Sequence, residues 1–249
     1  MIWLKSEKEI ETMAEAGKKL ARVLKQVQEK VRPGVKTEDL NQLAEKLIAA
    51  EGGTPNFKNY QGFPAALCTA VNEVAVHQIP GEYQLQSGDL LSLDLGLEYR
   101  GFQADMAVTI GVGPVSSLAQ KLMAVTREAL YRGIEVARAG NHLGDIGWAI
   151  ENYVARQGFG VIKELTGHGI GRKLHEDPTI FNFGEKGKGL VISSNLVICI
   201  EPIISAGSTR VEQGEDGFNY RSIDGSLTAH FEHMVAVTSQ GPQILTAQL

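Results

Sequence analysis

Cysteine is nearly missing: Cys68 and Cys199 are the only two in 249 residues. That excludes a disulfide framework and a cysteine-built zinc site, and a reducing, cytoplasmic setting is expected. Basic residues are not in excess, since 24 Lys and Arg stand against 29 Asp and Glu for a formal charge of -5. No nucleic-acid footprint follows from that balance, and nucleic acid is not expected as substrate. Long apolar runs are also lacking. The most apolar stretch, 189–207, is interrupted by Asn195 and Glu201 and reads as sheet rather than membrane span. The opening MIWLKSEKEIETM has no apolar segment of the signal-peptide kind. Gly-x-Ser-x-Gly, a Walker loop and the Rossmann glycine fingerprint are all absent, so neither that serine hydrolase chemistry nor those nucleotide sites are in play.

What is present is ordinary globular composition, 43% hydrophobic and 21% charged, enough for a sizeable core. Ser6 and Glu9 form a capping box, and Ile10, Met13, Leu20, Leu24 and Val27 then recur at helical spacing until Arg32-Pro33-Gly34. Thr37 is expected to cap a second helix that stops at Gly52-Gly53. From Gly88 to Ile110 two period-two runs flank Glu98-Tyr99-Arg100-Gly101, which predicts a hairpin with Asp94 on one strand and Asp105 on the other.

The same grammar then returns. Residues 118–137 predict a long helix, Arg138-Ala139-Gly140 matches Arg32-Pro33-Gly34, and Ile200-Glu201 matches Leu93-Asp94. Glu232-His233-Met234-Val235 likewise resembles Asp105-Met106-Ala107-Val108, with a longer, more polar connection between the second pair of strands. We read an internal duplication: one α/β (α+β) domain over 1–249, with halves of roughly 1–112 and 113–249. A curved, largely antiparallel sheet backed by helices would carry a site on its other face. The polar stretch 208–225 is expected as a surface loop at the mouth of that site.

Asp94, Asp105, Glu201 and Glu232 would then converge. Two unit charges at 4 Å repel by about 4 kcal/mol at an effective dielectric of 20, so such a cluster calls for protons or divalent cations. Carboxylates with one imidazole suit manganese, iron, cobalt or zinc, and His168, within Gly167-His168-Gly169-Ile170-Gly171, is the best candidate imidazole. His142, His230 and His233 are left to structural roles. Two metals about 3.5–4 Å apart can hold a bridging hydroxide as nucleophile and polarise a carbonyl.

Taken together, Asn72-Glu73-Val74, His77-Gln78-Ile79-Pro80, Asp94, Asp105, GHGIGRKLHEDP from Gly167, Ile200-Glu201-Pro202 and Phe231-Glu232-His233 resemble the type I methionine aminopeptidases over nearly the whole chain. The resemblance implies the pita-bread fold and removal of the initiator methionine from nascent polypeptides whose second residue is small. It implies two divalent ions on Asp94, Asp105, His168, Glu201 and Glu232, with Asp105 and Glu232 bridging and Glu201 shuttling a proton. His77 and His175 would hydrogen-bond the substrate, while Tyr60, Phe63, Cys68 and Phe218 would line the methionine pocket. A monovalent cation near Asn72, Val74 and Thr228, transient work near the ribosome and a monomeric state are implied as well.

Some residues depart from the family pattern. Gln78 replaces the usual Gly and is expected to narrow the cleft or alter the backbone; Leu174 replaces an aromatic, Phe218 the common Trp, and Ser194-Asn195-Leu196 the usual Pro-Gly-Met. Two other readings share the fold: an Xaa-Pro peptidase, which usually carries a large preceding domain, and a partner-binding module, which usually loses ligands.

Overall fold

The computed structural model describes residues 2–247. Helices α1 (Glu7–Gln28) and α2 (Thr37–Ala50) open the chain, followed by strands β1 (Thr54–Pro55), β2 (Leu67–Val71), β3 (Val74–Val76), β4 (Leu90–Tyr99) and β5 (Phe102–Gly111). A second helix pair follows, α3 (Ser117–Val136) and α4 (Leu143–Arg156). Then come β6 (Gly160–Val161), β7 (Gly167–Gly169), β8 (Glu176–Ile180), β9 (Val197–Ile200) and β10 (Ile203–Ser205). The last five strands are β11 (Val211–Gln213), β12 (Tyr220–Ser222), β13 (Thr228–His230), β14 (His233–Thr238) and β15 (Gly241–Ile244).

Local chemistry accounts for these elements. The capping box at α1 forms as the sequence predicts, with Ser6 N donating to Glu9 Oε2 at 2.9 Å and Glu9 N donating to Ser6 Oγ. Met13, Leu20, Leu24 and Val27 are fully buried on its inner face, each worth roughly 1.5–3 kcal/mol of apolar burial. At α2 the expectation is corrected. Thr37 lies inside the helix, the cap is Lys36, and the Thr37 hydroxyl instead exchanges hydrogen bonds with the backbone of Gly81. The central hairpin pairs Leu90 with Gly111 through Tyr99 with Phe102. Its connection is only Arg100-Gly101, both at positive φ (52° and 78°), a tight turn whose twist matches the strands it joins.

Every strand pairing is antiparallel. Among the described residues the strands form four ladders in place of one continuous sheet. In one, β4 pairs with β5 on one edge and with β1 and β2 on the other; a second runs β15-β14-β9-β7-β8. The smaller ladders are β13-β10-β6 and β11-β12-β3. At the seam between the halves, Glu232 N donates to the Ala107 carbonyl of β5 at 2.9 Å, and Thr109 Oγ1 of β5 bonds the backbone of His230 in β13. Helix α1 packs on β4 and β5, and α3 and α4 pack on each other, with α3 also against β13. One apolar core lies beneath each helix pair. The stretch 208–225 is not a bare loop, because its β11–β12 hairpin pairs with β3. No helix among the described residues is long and apolar enough to cross a membrane.

Candidate active site

Strand register sets the site. Asp94 pairs with Ala107 and Gly96 with Asp105, so the two aspartates share a face as diagonal neighbours. Across the seam, Glu201 directly follows β9, and Glu232 lies between β13 and β14 with its amide held by Ala107. His168 sits in β7 opposite Cys199 of β9. Its neighbour Gly167 has a packing reason, since a Cβ there would stand 2.3 Å from the Cys199 carbonyl oxygen.

His168 Nδ1 donates to the Gly169 carbonyl at 2.9 Å. That bond fixes the tautomer and leaves the Nε2 lone pair free. Nε2 lies 3.6 Å from Glu201 Oε1 and 3.8 Å from Asp105 Oδ2. Burial, with repulsion from the neighbouring carboxylates, drives Asp105 and Glu232 well above the carboxylate range, and burial with Asp94 beside it does the same to Glu201. Burial raises Asp94 to about 6 and depresses His168 to about 3. Asp94 Oδ1, Asp105 Oδ1 and Glu232 Oε1 are buried without a hydrogen-bond partner among the described residues. Donor atoms of Asp105, His168, Cys199 and Glu232 lie within 4.8 Å of one another, as do those of Glu201, His230 and Glu232. Carboxylate oxygens left unpaired beside a lone-pair imidazole nitrogen fit divalent cations.

The centre opens into a cleft of about 1430 Å³, lined by every residue the sequence offers for the metal, the scissile peptide and the methionine pocket: Tyr60, Phe63, Cys68, His77, His175 and Phe218 together with Asp94, Asp105, His168, Glu201 and Glu232. Cys68 pairs directly with Asp94. Phe63 and Phe218 meet edge to face at 5.5 Å. Tyr60 Oη lies 3.1 Å from His175 Nδ1, and the His175 ring stands 4.2 Å from that of His168. His77 and His175 are both pushed down to about 4, chiefly by burial. Asn72, Val74 and Thr228 also come together, with Thr228 Oγ1 donating to the carbonyls of Asn72 at 3.0 Å and Val74 at 2.9 Å.

Gln78 behaves differently from expectation. Its Oε1 accepts from Val71 N at 2.9 Å, so the side chain folds back on β2 and is not among the residues lining the cleft. Asn195, in the altered Ser194-Asn195-Leu196 stretch, adopts φ 68°, the conformation a glycine would supply. His142 stays at the start of α4, and His233 binds Thr246 Oγ1 through Nδ1 at 2.9 Å. His230 is the residue the sequence undervalues: it is 2% exposed and its Nε2 is 3.4 Å from Glu201 Oε2. Its two-residue spacing from Glu232 was the available signal. Cys199, two residues before Glu201, and Trp3 and Leu4 at the rim also went unassigned.

The model of metallopeptidase family M24 matches residues 11–239. The chain is 46% identical to the methionine aminopeptidase of Clostridium perfringens over 246 residues, covering 99% of both chains. It is 41% identical to methionine aminopeptidase 1 of Bacillus subtilis, again over 99% of each. The crystal structure of methionine aminopeptidase from Rickettsia prowazekii superposes with a TM-score of 0.98 at 38% identity, with 99% of this chain and 100% of that one covered. Since the family match spans both helix pairs and all four carboxylates, and the relatives align from end to end, the chain belongs to metallopeptidase family M24, within its methionine aminopeptidase group.

Proposed function

We propose that this chain hydrolyses the N-terminal methionine from polypeptides whose second residue is small, using two divalent ions held by Asp94, Asp105, His168, Glu201 and Glu232. The observation that carries this reading is the set of buried carboxylate oxygens without partners beside the free Nε2 of His168, at the floor of a cleft with an aromatic pocket. Asp105 and Glu232 approach from opposite sides of the seam and, with Asp94, His168 and Glu201, would hold the ions. Manganese, iron, cobalt or zinc there would supply Lewis acidity and an acidified water.

The chain's own groups do the rest. Glu201, whose carboxyl is held above the usual range, takes a proton from the attacking water and returns it to the leaving amine. The Tyr60 hydroxyl, 3.1 Å from His175 Nδ1, fixes the orientation of that ring and leaves Nε2 to the substrate. Neutral His77 and His175 hydrogen-bond the scissile peptide and stabilise charge that develops on it. Phe63, Phe218, Tyr60 and Cys68 enclose the methionine side chain, and Thr228 with the Asn72 and Val74 carbonyls offers a monovalent cation site. A cytoplasmic monomer working near the ribosome suits this substrate. The Xaa-Pro alternative draws no support from length, since relatives that align from end to end carry no large preceding domain.

The test is methionine release from Met-Ala-Ser and Met-Leu-Ser by metal-free protein, with manganese, cobalt, iron or zinc restored singly. Metal-dependent cleavage of the first peptide alone is expected. Failure on both, with metal bound, would replace this reading with the Xaa-Pro or partner-binding one.

A further inference from the structure

The two oxygens of Glu201 face different imidazoles. Oε1 lies 3.6 Å from His168 Nε2, on the side of the proposed ions, and Oε2 lies 3.4 Å from His230 Nε2. His230 is almost wholly buried, yet among the described residues neither of its ring nitrogens has a hydrogen-bond partner. An imidazole always carries at least one N–H, and leaving it unpaired in the interior is costly. The backbone that carries the ring is clamped. His230 N donates to Thr109 Oγ1 at 2.8 Å, Thr109 Oγ1 lies 2.9 Å from the His230 carbonyl, and Ser92 Oγ stands 2.7 Å from the same Thr109 oxygen. His230 also pairs with Ile203, two residues beyond Glu201. A rigid strand therefore presents an unsatisfied donor to the outer oxygen of the proton-shuttling carboxylate.

Resting on the aminopeptidase reading, we propose that His230 is a positioning residue whose Nε2–H donates to Glu201 Oε2. The bond turns the other oxygen toward His168 and holds the carboxylate in one rotamer while it exchanges a proton. Hydrogen bonds to ligating groups of this kind are worth about 10–100-fold in metal affinity or activity when removed. Among the described residues no other group bonds Oε2.

The experiment compares wild-type, His230→Gln and His230→Leu protein in two readouts: kcat and KM for Met-Ala-Ser with manganese, and the visible absorption of the cobalt-loaded protein. Glutamine keeps an N–H donor at about the reach of Nε2, whereas leucine keeps only bulk. The leucine variant should lose about 10–100-fold in kcat with KM little changed and should show altered cobalt bands. The glutamine variant should recover most of the rate and the wild-type spectrum. Wild-type rate and spectrum in the leucine variant would overturn the proposal. Equal loss of cobalt binding in both variants would overturn it too, by making His230 a direct ligand. If the wild-type protein itself releases no methionine, the aminopeptidase reading fails, and the cobalt bands alone still decide whether His230 orients Glu201.

Discussion

His168 and Glu232 show how single side chains divide the work. His168 is tied to Gly169 through Nδ1, so His168→Ala removes a lone-pair donor and little packing. The variant should stay folded by circular dichroism, bind metal far more weakly and release no methionine. Glu232 carries a cost in the metal-free chain, because burial and the charges of Glu201 and Asp94 oppose its ionisation. Glu232→Gln removes that cost. Turnover should vanish while the metal-free protein becomes more stable at neutral pH, read by denaturant unfolding. A loss of stability would mean the carboxylate is structural. Asp94 and Asp105 are legible in sequence because alternation in a strand fixes which residues share a face, and Glu201 and Glu232 because the second half repeats the first. His230 is not, because nothing local says which groups approach an imidazole from another strand.

At the level of elements, the site depends on close backbone approach between β7 and β9. Gly167 leaves no room for a side chain, with the Cys199 carbonyl 2.3 Å from where a Cβ would sit and Ile180 Cβ 3.2 Å away. Gly167→Ala should push β7 off β9, costing about 1–3 kcal/mol as overpacking does, and should lower kcat because His168 moves with the strand. Thermal melting and steady-state kinetics check both. Helix positions and the central hairpin were readable from periodicity and turn chemistry. Local pattern misses the true role of Thr37 and the strands within 208–225, since Gly81 and β3 supply tertiary partners, although that stretch does stand at the cleft through Gln213, Gly217 and Phe218.

Across the whole molecule, protons and metal compete for one buried cluster. Asp94, Asp105, Glu201 and Glu232 have folded values above their unfolded ones, so the folded chain holds more protons there. Their contribution to metal-free stability is full below about pH 4, the unfolded carboxylate range, and is lost as pH rises through the raised values. His77, His168 and His175 run the other way, lowered from 6.5 to about 4, 3 and 4. Their contribution is full above pH 6.5 and is lost as pH falls toward those values. Manganese should therefore stabilise the chain more at about pH 7.5 than at about pH 5.5. At a hundred-fold excess over Kd the gain is about 2.7 kcal/mol, or about 5–10 °C in Tm for a chain of this size. A calorimetric scan with and without chelator reads it; an equal shift at both pH values would count against a carboxylate metal centre.

The sequence by itself determined the helix pairs, the central hairpin, the carboxylates and His168, because periodicity, capping and spacing are properties of neighbouring residues. Only the tertiary structure decided that the sheet divides into four ladders, that Glu232 bonds across the seam to Ala107, that Gln78 turns away from the cleft and that His230 faces Glu201. Those features depend on which backbone and side-chain groups from distant segments satisfy one another, and hydrogen-bond partners in a packed interior are assigned by the fold as a whole.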